Sequence, residues 1–240
     1  MEIGEKVRIN KYMALKGLCS RREADALIKA GRVKLNGRRA VLGDKVGFGD
    51  EVTMIGDAPP KSNLVYIAYN KPVGIVTHSS VEGEEEIADI LNIKENVFPV
   101  GRLDKASHGL IILTNDGRVT DKLLNPKYYH EKEYAVKTFE PLKESTVRKL
   151  SAGLRIEEDF TKPARVKQLG PNMFSITLTE GKRHQIRRMC AALGFGVVDL
   201  KRMRIMNVRL GKLKEGEHRY LAGAELSELL GSLGILNQKN

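Results

Sequence analysis

The chain has 240 residues, of which 41% are hydrophobic and 30% are charged, and its formal net charge is +11. This composition predicts a globular protein, and no apolar run approaches the roughly 18 residues that a membrane helix needs. The first residues lack the apolar core of a secretory signal, so we expect a cytoplasmic protein that does not bind membranes. The two cysteines, Cys19 and Cys190, are too few and too far apart for a metal cluster and are expected to be packing residues.

The basic charge is concentrated in two segments. Residues 1–56 carry 12 Lys and Arg against 7 Asp and Glu, and residues 182–219 carry 11 against 3. Such an excess favours a polyanionic partner. Because neither segment contains a long, aromatic-rich amphipathic helix, nucleic acid is a better candidate than a membrane surface.

The first segment has the pattern of two short helices followed by short strands. Residues 7–17 predict an amphipathic helix that ends at Gly17, and Ser20 with Glu23 forms a capping box for a second helix. A strand over 33–35 then leads into Asn36-Gly37, a strong hairpin turn. Scattered charges are often only a solvated surface, but several basic residues here are expected to bind RNA: Arg8, Lys11, Arg21, Arg22 and Arg38.

This segment resembles the alpha-L RNA-binding motif first known from a small-subunit ribosomal protein. The similarity lies in Arg8–Tyr12, Ser20–Ala24, Ile28, Gly31, Val33, Asn36-Gly37 and Gly49-Asp50. It implies recognition of folded RNA through shape and phosphate contacts. We therefore predict a small RNA-binding domain over 1–56, a polar, proline-containing linker over 57–63, and a second domain over 64–240.

The second domain is predicted to be α+β, with a largely antiparallel mixed sheet. Strands are predicted over 64–69, 75–77, the stretch before Gly101, 110–113, 131–136, 163–169, 173–179 and 200–210. Helices are predicted within 79–96 and over 119–124, 142–152, 182–193 and 223–233.

A charged loop between two apolar strands is the candidate site. Arg102 and Asp104 lie between Gly101 and Gly109, and such loops often carry function. Taken alone, the two charges could be a structural ion pair. Two further residues favour chemistry: Tyr134 lies within a charged strand, and Arg187 lies on a basic helix just after a turn.

Together these stretches resemble the pseudouridine synthases that modify small- and large-subunit ribosomal RNA, most closely the F type of the large-subunit enzymes. The motifs are Asn70–Gly74, Gly101–Asp104 with Gly109-Leu110, Lys132–Tyr134, and Gly181 with Gln185–Met189. The F-type similarity lies in His130–Tyr134 and Arg204–Val208. His184 stands where that type has arginine.

The resemblance implies a role for each motif residue. Asp104 corresponds to the catalytic carboxylate, which acts either as nucleophile at the anomeric carbon or as base at the neighbouring ribose position. Arg187 corresponds to its paired cation, Tyr134 to the residue that packs on the flipped base, and Arg102 to the residue that fills the vacated space. Further pocket and RNA contacts are expected from Lys71, Leu178, Ile186, Arg183 and Arg188.

The implied function is conversion of a specific uridine to pseudouridine in a stem-loop of 23S ribosomal RNA, by a monomer without cofactor or metal. Two alternatives stay open: the same reaction on another RNA such as tRNA, or a non-catalytic ribosome assembly factor. A glycoside hydrolase would need a second carboxylate, for which Asp116 is a poor candidate because its sequence is typical of a turn. A metal-dependent nuclease would need clustered ligands, and the five histidines are scattered.

Overall fold

The computed structural model describes residues 6–56 and 63–235. It divides into two compact units, residues 1–64 with 115–118, and residues 65–114 with 119–240. Most of the predicted linker, residues 57–62, and the first five residues lie outside the described part, so the domain boundaries stay a prediction. No helix among the described residues is long and apolar enough to cross a membrane.

The first unit is built from two helices and short strands. The elements are β1 (Val7–Arg8), α1 (Ile9–Leu15), α2 (Arg21–Lys29), β2 (Val33–Leu35), β3 (Arg38–Arg39), β4 (Lys45–Val46) and β5 (Val52–Met54). β3, β2 and β5 form one antiparallel sheet, and β1 pairs with β4. The apolar sides of α1 and α2 pack on β2 around Ile9, Met13, Ile28 and Val33.

The predicted capping box and hairpin turn of this unit are confirmed. The Ser20 hydroxyl accepts the Glu23 N–H at 3.2 Å, and the Glu23 carboxylate accepts the Ser20 N–H at 2.6 Å. Asn36 adopts a φ of 50° and Gly37 one of 81°, as a tight hairpin turn requires. The predicted helix over 7–17 is shorter, because its first two residues pair as a strand with Lys45 and Val46.

The second unit is organised on a nine-stranded mixed sheet, which confirms the predicted α+β class. Its strands are β6 (Tyr66–Lys71), β7 (Phe98–Val100), β8 (His108–Thr114), β9 (Lys132–Thr138), β12 (Arg165–Gly170), β13 (Met173–Leu178), β14 (Val197–Ile205), β15 (Val208–Arg209) and β16 (His218–Tyr220). The main path runs β12-β13-β9-β14-β8-β6-β16. Every pairing is antiparallel except that of β14 with β8.

Helices cover the sheet, and a separate hairpin extends from it. The helices are α3 (Ile87–Ile90), α4 (Gly117–Leu124), α5 (Glu144–Ala152), α6 (Gln185–Ala192) and α7 (Gly223–Ser232). The hairpin of β10 (Arg155–Ile156) and β11 (Asp159–Phe160) was not predicted, because its turn contains no glycine and Glu157 takes a φ of 54°. The predicted strand over 75–77 is wrong, since only an isolated bridge joins Val76 to Glu86.

Two features of the sheet place the candidate loop. Along one edge, β8 pairs first with β14, at His108 and Gly109, and then with β7, at Ile112 to Thr114. The loop that joins β7 to β8 therefore lies at the fork where β8 exchanges one neighbour for the other. Gly109 is needed there, because its φ is 103° and an added Cβ would lie 2.4 Å from the Arg202 carbonyl oxygen.

Candidate active site

The loop over 101–107 is fastened to the protein on both sides of Asp104. The buried Thr77 hydroxyl donates to the Leu103 carbonyl at 2.7 Å and accepts the Leu103 N–H at 3.0 Å. Beyond Asp104, the Lys105 carbonyl accepts the Gly74 N–H at 2.8 Å. The backbone that carries Asp104 is thus fixed before any substrate binds, which is what a catalytic carboxylate requires.

Asp104 is half-exposed, and its side chain contacts His184. The distance from His184 Nε2 to Asp104 Oδ1 is 3.3 Å, and the Asp104 side chain is 37% exposed. His184 holds this place with a φ of 50°, as the residue that precedes α6. That conformation delays the helix, which begins at Gln185 and not at 182 as predicted.

The predicted ion pair between Asp104 and Arg187 is not among the ion pairs that the described residues form, so it stays a prediction. Arg187 Nη2 donates to the Ala106 carbonyl at 2.9 Å, and Nη1 donates to the Val197 carbonyl at 3.2 Å. The guanidinium therefore holds the backbone of the Asp104 loop against β14, and the carboxylate itself is left to His184. The sequence motifs predicted that Arg187 lies close to the Asp104 loop, and it does. They could not predict whether its guanidinium contacts the loop backbone or the Asp104 carboxylate.

Lys71 lies at the end of β6 and is fully buried. Its ammonium donates to the Pro72 carbonyl at 2.8 Å and to the Ile75 carbonyl at 2.7 Å. Burial lowers the pKa of Lys71 to about 8, and the negative charge of Asp104 opposes that shift. Lys71 therefore places positive charge within electrostatic reach of the Asp104 carboxylate. It is absent from the set of residues that line the cavity.

A cavity of about 850 Å³ opens beside this loop. That volume is within the usual range for small-molecule sites, about 300–1,000 Å³. Four of the predicted site residues line it from the sheet and α6 side: Tyr134, Leu178, Ile186 and Arg183. Asp104 and Arg102 line it from the loop side, so the structure brings six predicted residues to one cavity.

Two further charged residues line the cavity: Lys132, which the sequence analysis placed in a motif without a role, and Arg202, which it did not select. Lys132 lies two residues before Tyr134 on β9, and Arg202 is the cross-strand partner of Tyr134 on β14. Arg202 is 3% exposed, and its Nε donates to the Leu110 carbonyl at 2.6 Å. Burial first, and then the charge of Arg202, lowers the pKa of Lys132 to about 8.

The remaining predicted RNA-binding residues differ in exposure. Arg8, Arg21, Arg22 and Arg183 are exposed. Arg38 forms a bidentate pair with Asp44 at 2.9 Å, and Arg188 pairs with Glu157 at 2.6 Å. Arg38 and Arg188 are thus held by carboxylates within the chain, which the pattern of basic residues did not predict.

Metal-binding geometry is absent from the residues that the structure describes. No group of three or more His, Cys, Asp or Glu side chains within 6–56 and 63–235 is arranged to hold a metal ion. His130 and His184 both line the cavity, but they belong to no such group.

Comparison with known proteins covers both units. The RNA pseudouridylate synthase family model matches residues 65–192, and the S4 domain model matches residues 7–52. A crystal structure of a pseudouridylate synthase superposes with a TM-score of 0.69 at 32% identity, covering 93% of this chain and 99% of that one.

Curated relatives are similar over nearly the whole chain. The dual-specificity RNA pseudouridine synthase RluF of Escherichia coli K12 is 47% identical over 93% of this chain and 78% of its own length. An uncharacterized RNA pseudouridine synthase of Aquifex aeolicus is 37% identical, with 96% of each chain covered. The ribosomal large subunit pseudouridine synthase B of Bacillus subtilis is 36% identical over 92% of this chain and 95% of its own. The chain therefore belongs to the RNA pseudouridine synthase family, with an S4 RNA-binding domain before its catalytic domain.

Proposed function

We propose that this enzyme isomerises a specific uridine in a stem-loop of large-subunit ribosomal RNA and that Asp104 is its catalytic carboxylate. The observation that carries the assignment is the half-exposed Asp104 side chain, held on a fixed loop at the edge of the cavity. The substrate class is supported by the similarity to the ribosomal large subunit pseudouridine synthase B of B. subtilis.

The residues around Asp104 suit the reaction. The bond between the ribose C1′ and the uracil N1 breaks, the base turns, and C1′ rejoins the base through C5. Asp104 can serve either as nucleophile at C1′ or as base at the neighbouring ribose carbon, and both routes need the ionised carboxylate. Lys71 supplies positive charge near that carboxylate, since the charge of Asp104 acts on the Lys71 ammonium.

The positions of the other predicted residues support the roles that the resemblance implies for them. Tyr134 stands in the cavity wall, where a base that has left its stack can pack on the ring. Arg102 is exposed at the cavity edge, where its planar guanidinium can fill the space that the base leaves. Leu178 and Ile186 supply apolar surface to the pocket.

Release of tritium from C5 of uridine tests the assignment. Wild-type protein should release tritium from large-subunit ribosomal RNA fragments with no added metal or nucleotide. Asp104→Asn should abolish release while the RNA dissociation constant stays within about threefold, because the amide keeps the shape and loses the charge. Glu158→Gln, at an exposed position between β10 and β11 and outside the cavity lining, is the matched control and should retain activity.

Two results would contradict the proposal in different ways. Normal release by Asp104→Asn would remove Asp104 from the mechanism. Release from transfer RNA and none from ribosomal RNA would keep the chemistry and replace the substrate. Mapping pseudouridines in cellular RNA with and without the protein then identifies the modified site. The non-catalytic alternative is set aside, because the chain belongs to a family of enzymes.

We also propose that the first unit binds the RNA through its exposed arginines and that the enzyme acts as a monomer in the cytoplasm, where its substrate is made. Arg21 and Arg22 lie at the start of α2 and are exposed. Replacing both with alanine should weaken RNA binding and reduce the slope of log Kd against log salt by about one to two. An unchanged affinity and slope would argue against this surface.

A further inference from the structure

Lys132 and Arg202 are both neighbours of Tyr134 on one face of the sheet. Lys132 and Tyr134 are two residues apart on β9 and so point to the same face of the sheet. Arg202 is directly opposite Tyr134 on β14 and shares that face. All three side chains line the cavity.

Neither cation has a carboxylate partner among the residues that the structure describes. Within the described part of the chain, the Lys132 ammonium reaches only the His130 carbonyl, at 3.4 Å. Beyond its bond to the Leu110 carbonyl, Arg202 has only a 3.5 Å contact with the Arg102 carbonyl, and its Nη2 is buried with no hydrogen-bond partner.

Arg204, the next charged residue of β14, differs from Arg202 in having carboxylate partners. Arg204 is paired with Glu133 at 2.8 Å and with Glu131 at 2.9 Å, so its charge is balanced within the protein. Burying a charge without a partner costs free energy. Two such charges side by side therefore indicate a site that receives an anion from outside the protein.

The reaction produces an anion at this position. When the C1′–N1 bond breaks, its electron pair stays with the uracil and is delocalised from N1 onto O2 and O4. When C5 bonds to C1′, the ring supplies the electron pair, the C5 proton leaves, and N1 gains a proton. Between these steps the detached base carries a negative charge, and a preorganised cation beside it stabilises that state.

We propose that Lys132 and Arg202 form an anion subsite that stabilises the negative charge of the detached uracil ring. In this subsite, Lys132 donates directly to an oxygen of the uracil ring. Arg202 is more deeply buried and contributes positive charge without contacting the ring. Their position around Tyr134, where the base is proposed to pack, favours the uracil over a backbone phosphate. This inference rests on the proposed function.

Single-turnover kinetics at saturating RNA test the subsite. Lys132→Met keeps the length of the side chain and removes the charge, so the rate constant should fall by about 100- to 1,000-fold. The RNA dissociation constant and its salt dependence should change little, since the charge acts only after the bond breaks. Lys132→Arg should recover most of the rate because it restores the positive charge.

Lys137→Met is the matched control. Lys137 lies on the same strand but is exposed, and its odd spacing from Tyr134 places it on the other face. We expect its rate constant to stay within about twofold of wild type, which is the ordinary effect of a surface change.

Substrate RNA with 6-azauracil at the target position provides a second test. The extra ring nitrogen stabilises negative charge on the base and keeps the C5 hydrogen. The ratio of wild-type to Lys132→Met rates should therefore shrink by at least about tenfold on this substrate, because less stabilisation is needed from the protein.

Several outcomes would overturn the inference. If Lys132→Met weakens RNA binding and lowers the salt slope by about one but leaves the saturated rate intact, the subsite binds a phosphate. An unchanged rate and affinity, or an equal loss on uracil and 6-azauracil, would also contradict it. Each comparison is made against active wild type. Failure of the proposed function is detected separately in the tritium-release assay. It would be seen if wild type released no tritium, or if Asp104→Asn released it at the normal rate.

Discussion

Arg187→Met removes the side chain that fastens the Asp104 loop to α6. In the wild type, the guanidinium bridges the Ala106 carbonyl at 2.9 Å and the Val197 carbonyl at 3.2 Å. Methionine retains the apolar stem of arginine but donates no hydrogen bond. The change therefore isolates the polar contacts of Arg187 with little loss of packing.

The expected destabilisation is about 2 kcal/mol. A hydrogen bond from a charged group contributes about 1.5–3 kcal/mol; two such bonds to carbonyls are lost, together with a weak 3.5 Å contact with the Ser107 hydroxyl. Ala106 is exposed, so water can replace part of its bond. The loss is reduced further because Arg187 Nε is buried with no hydrogen-bond partner, and methionine removes that cost. For a domain of this size, the shift in Tm is about 4–8 °C.

The assay is equilibrium unfolding in urea together with single-turnover kinetics. We expect the rate to fall by about 100-fold, because a displacement of about 1 Å in a catalytic group has that effect. Arg188→Met is the control on the same helix. Its guanidinium pairs with Glu157, whose side chain is 74% exposed, and its bonds to the Ile156 and Arg183 carbonyls are long, at 3.3 and 3.4 Å. The expected loss is therefore about 1 kcal/mol.

Equal stability of the two variants, with an unchanged rate for Arg187→Met, would refute the reasoning. Arg187 would then be no more than a surface cation. A lower rate with normal stability would place Arg187 in contact with the RNA and not in the support of the loop.

Three further predictions concern the backbone at Gly109, the two thiols and Lys132. Gly109→Ala should lower the free energy of unfolding by about 4 kcal/mol or more, because its Cβ would overlap the Arg202 carbonyl and its φ is 103°. Cys190 and Cys19 should resist alkylation at neutral pH until the protein is unfolded, since burial raises their pKa values to about 12 and about 11. Lys132→Met should raise the free energy of unfolding at pH 7 by up to about 3 kcal/mol, because the pKa of Lys132 is about 8 in the folded protein against 10.5 ordinarily. The unfolded chain then binds more protons between these values, so wild-type stability should rise with pH from about 8 to about 10.5 relative to Lys132→Met.

Each of these predictions has a result that would contradict it. Gly181→Ala is the control for the glycine, because an added Cβ meets nothing within 4 Å, and equal effects would argue against close packing at Gly109. Rapid alkylation of native Cys190 would show that its burial is incomplete. A parallel pH dependence for wild type and Lys132→Met would show that the lysine ammonium is solvated in the folded state.

The sequence by itself determined the local structure and most members of the site. The capping box at Ser20 and the Asn36-Gly37 turn are decided by residues close in the chain, so their patterns are reliable. The loop with Asp104 and the cavity residues Tyr134, Leu178 and Ile186 were also selected from motifs. These residues line one cavity, and their individual roles stay proposals.

Only the tertiary structure decided which charges face one another. The Asp104 carboxylate contacts His184, and Arg187 takes the loop backbone, because the αL conformation of His184 and the packing of α6 fix both side chains. Arg202 meets Lys132 around Tyr134 through the register of β14 on β9, and the chain separates those strands by about sixty residues. Register and packing are long-range properties, so no local pattern could have placed these two cations together.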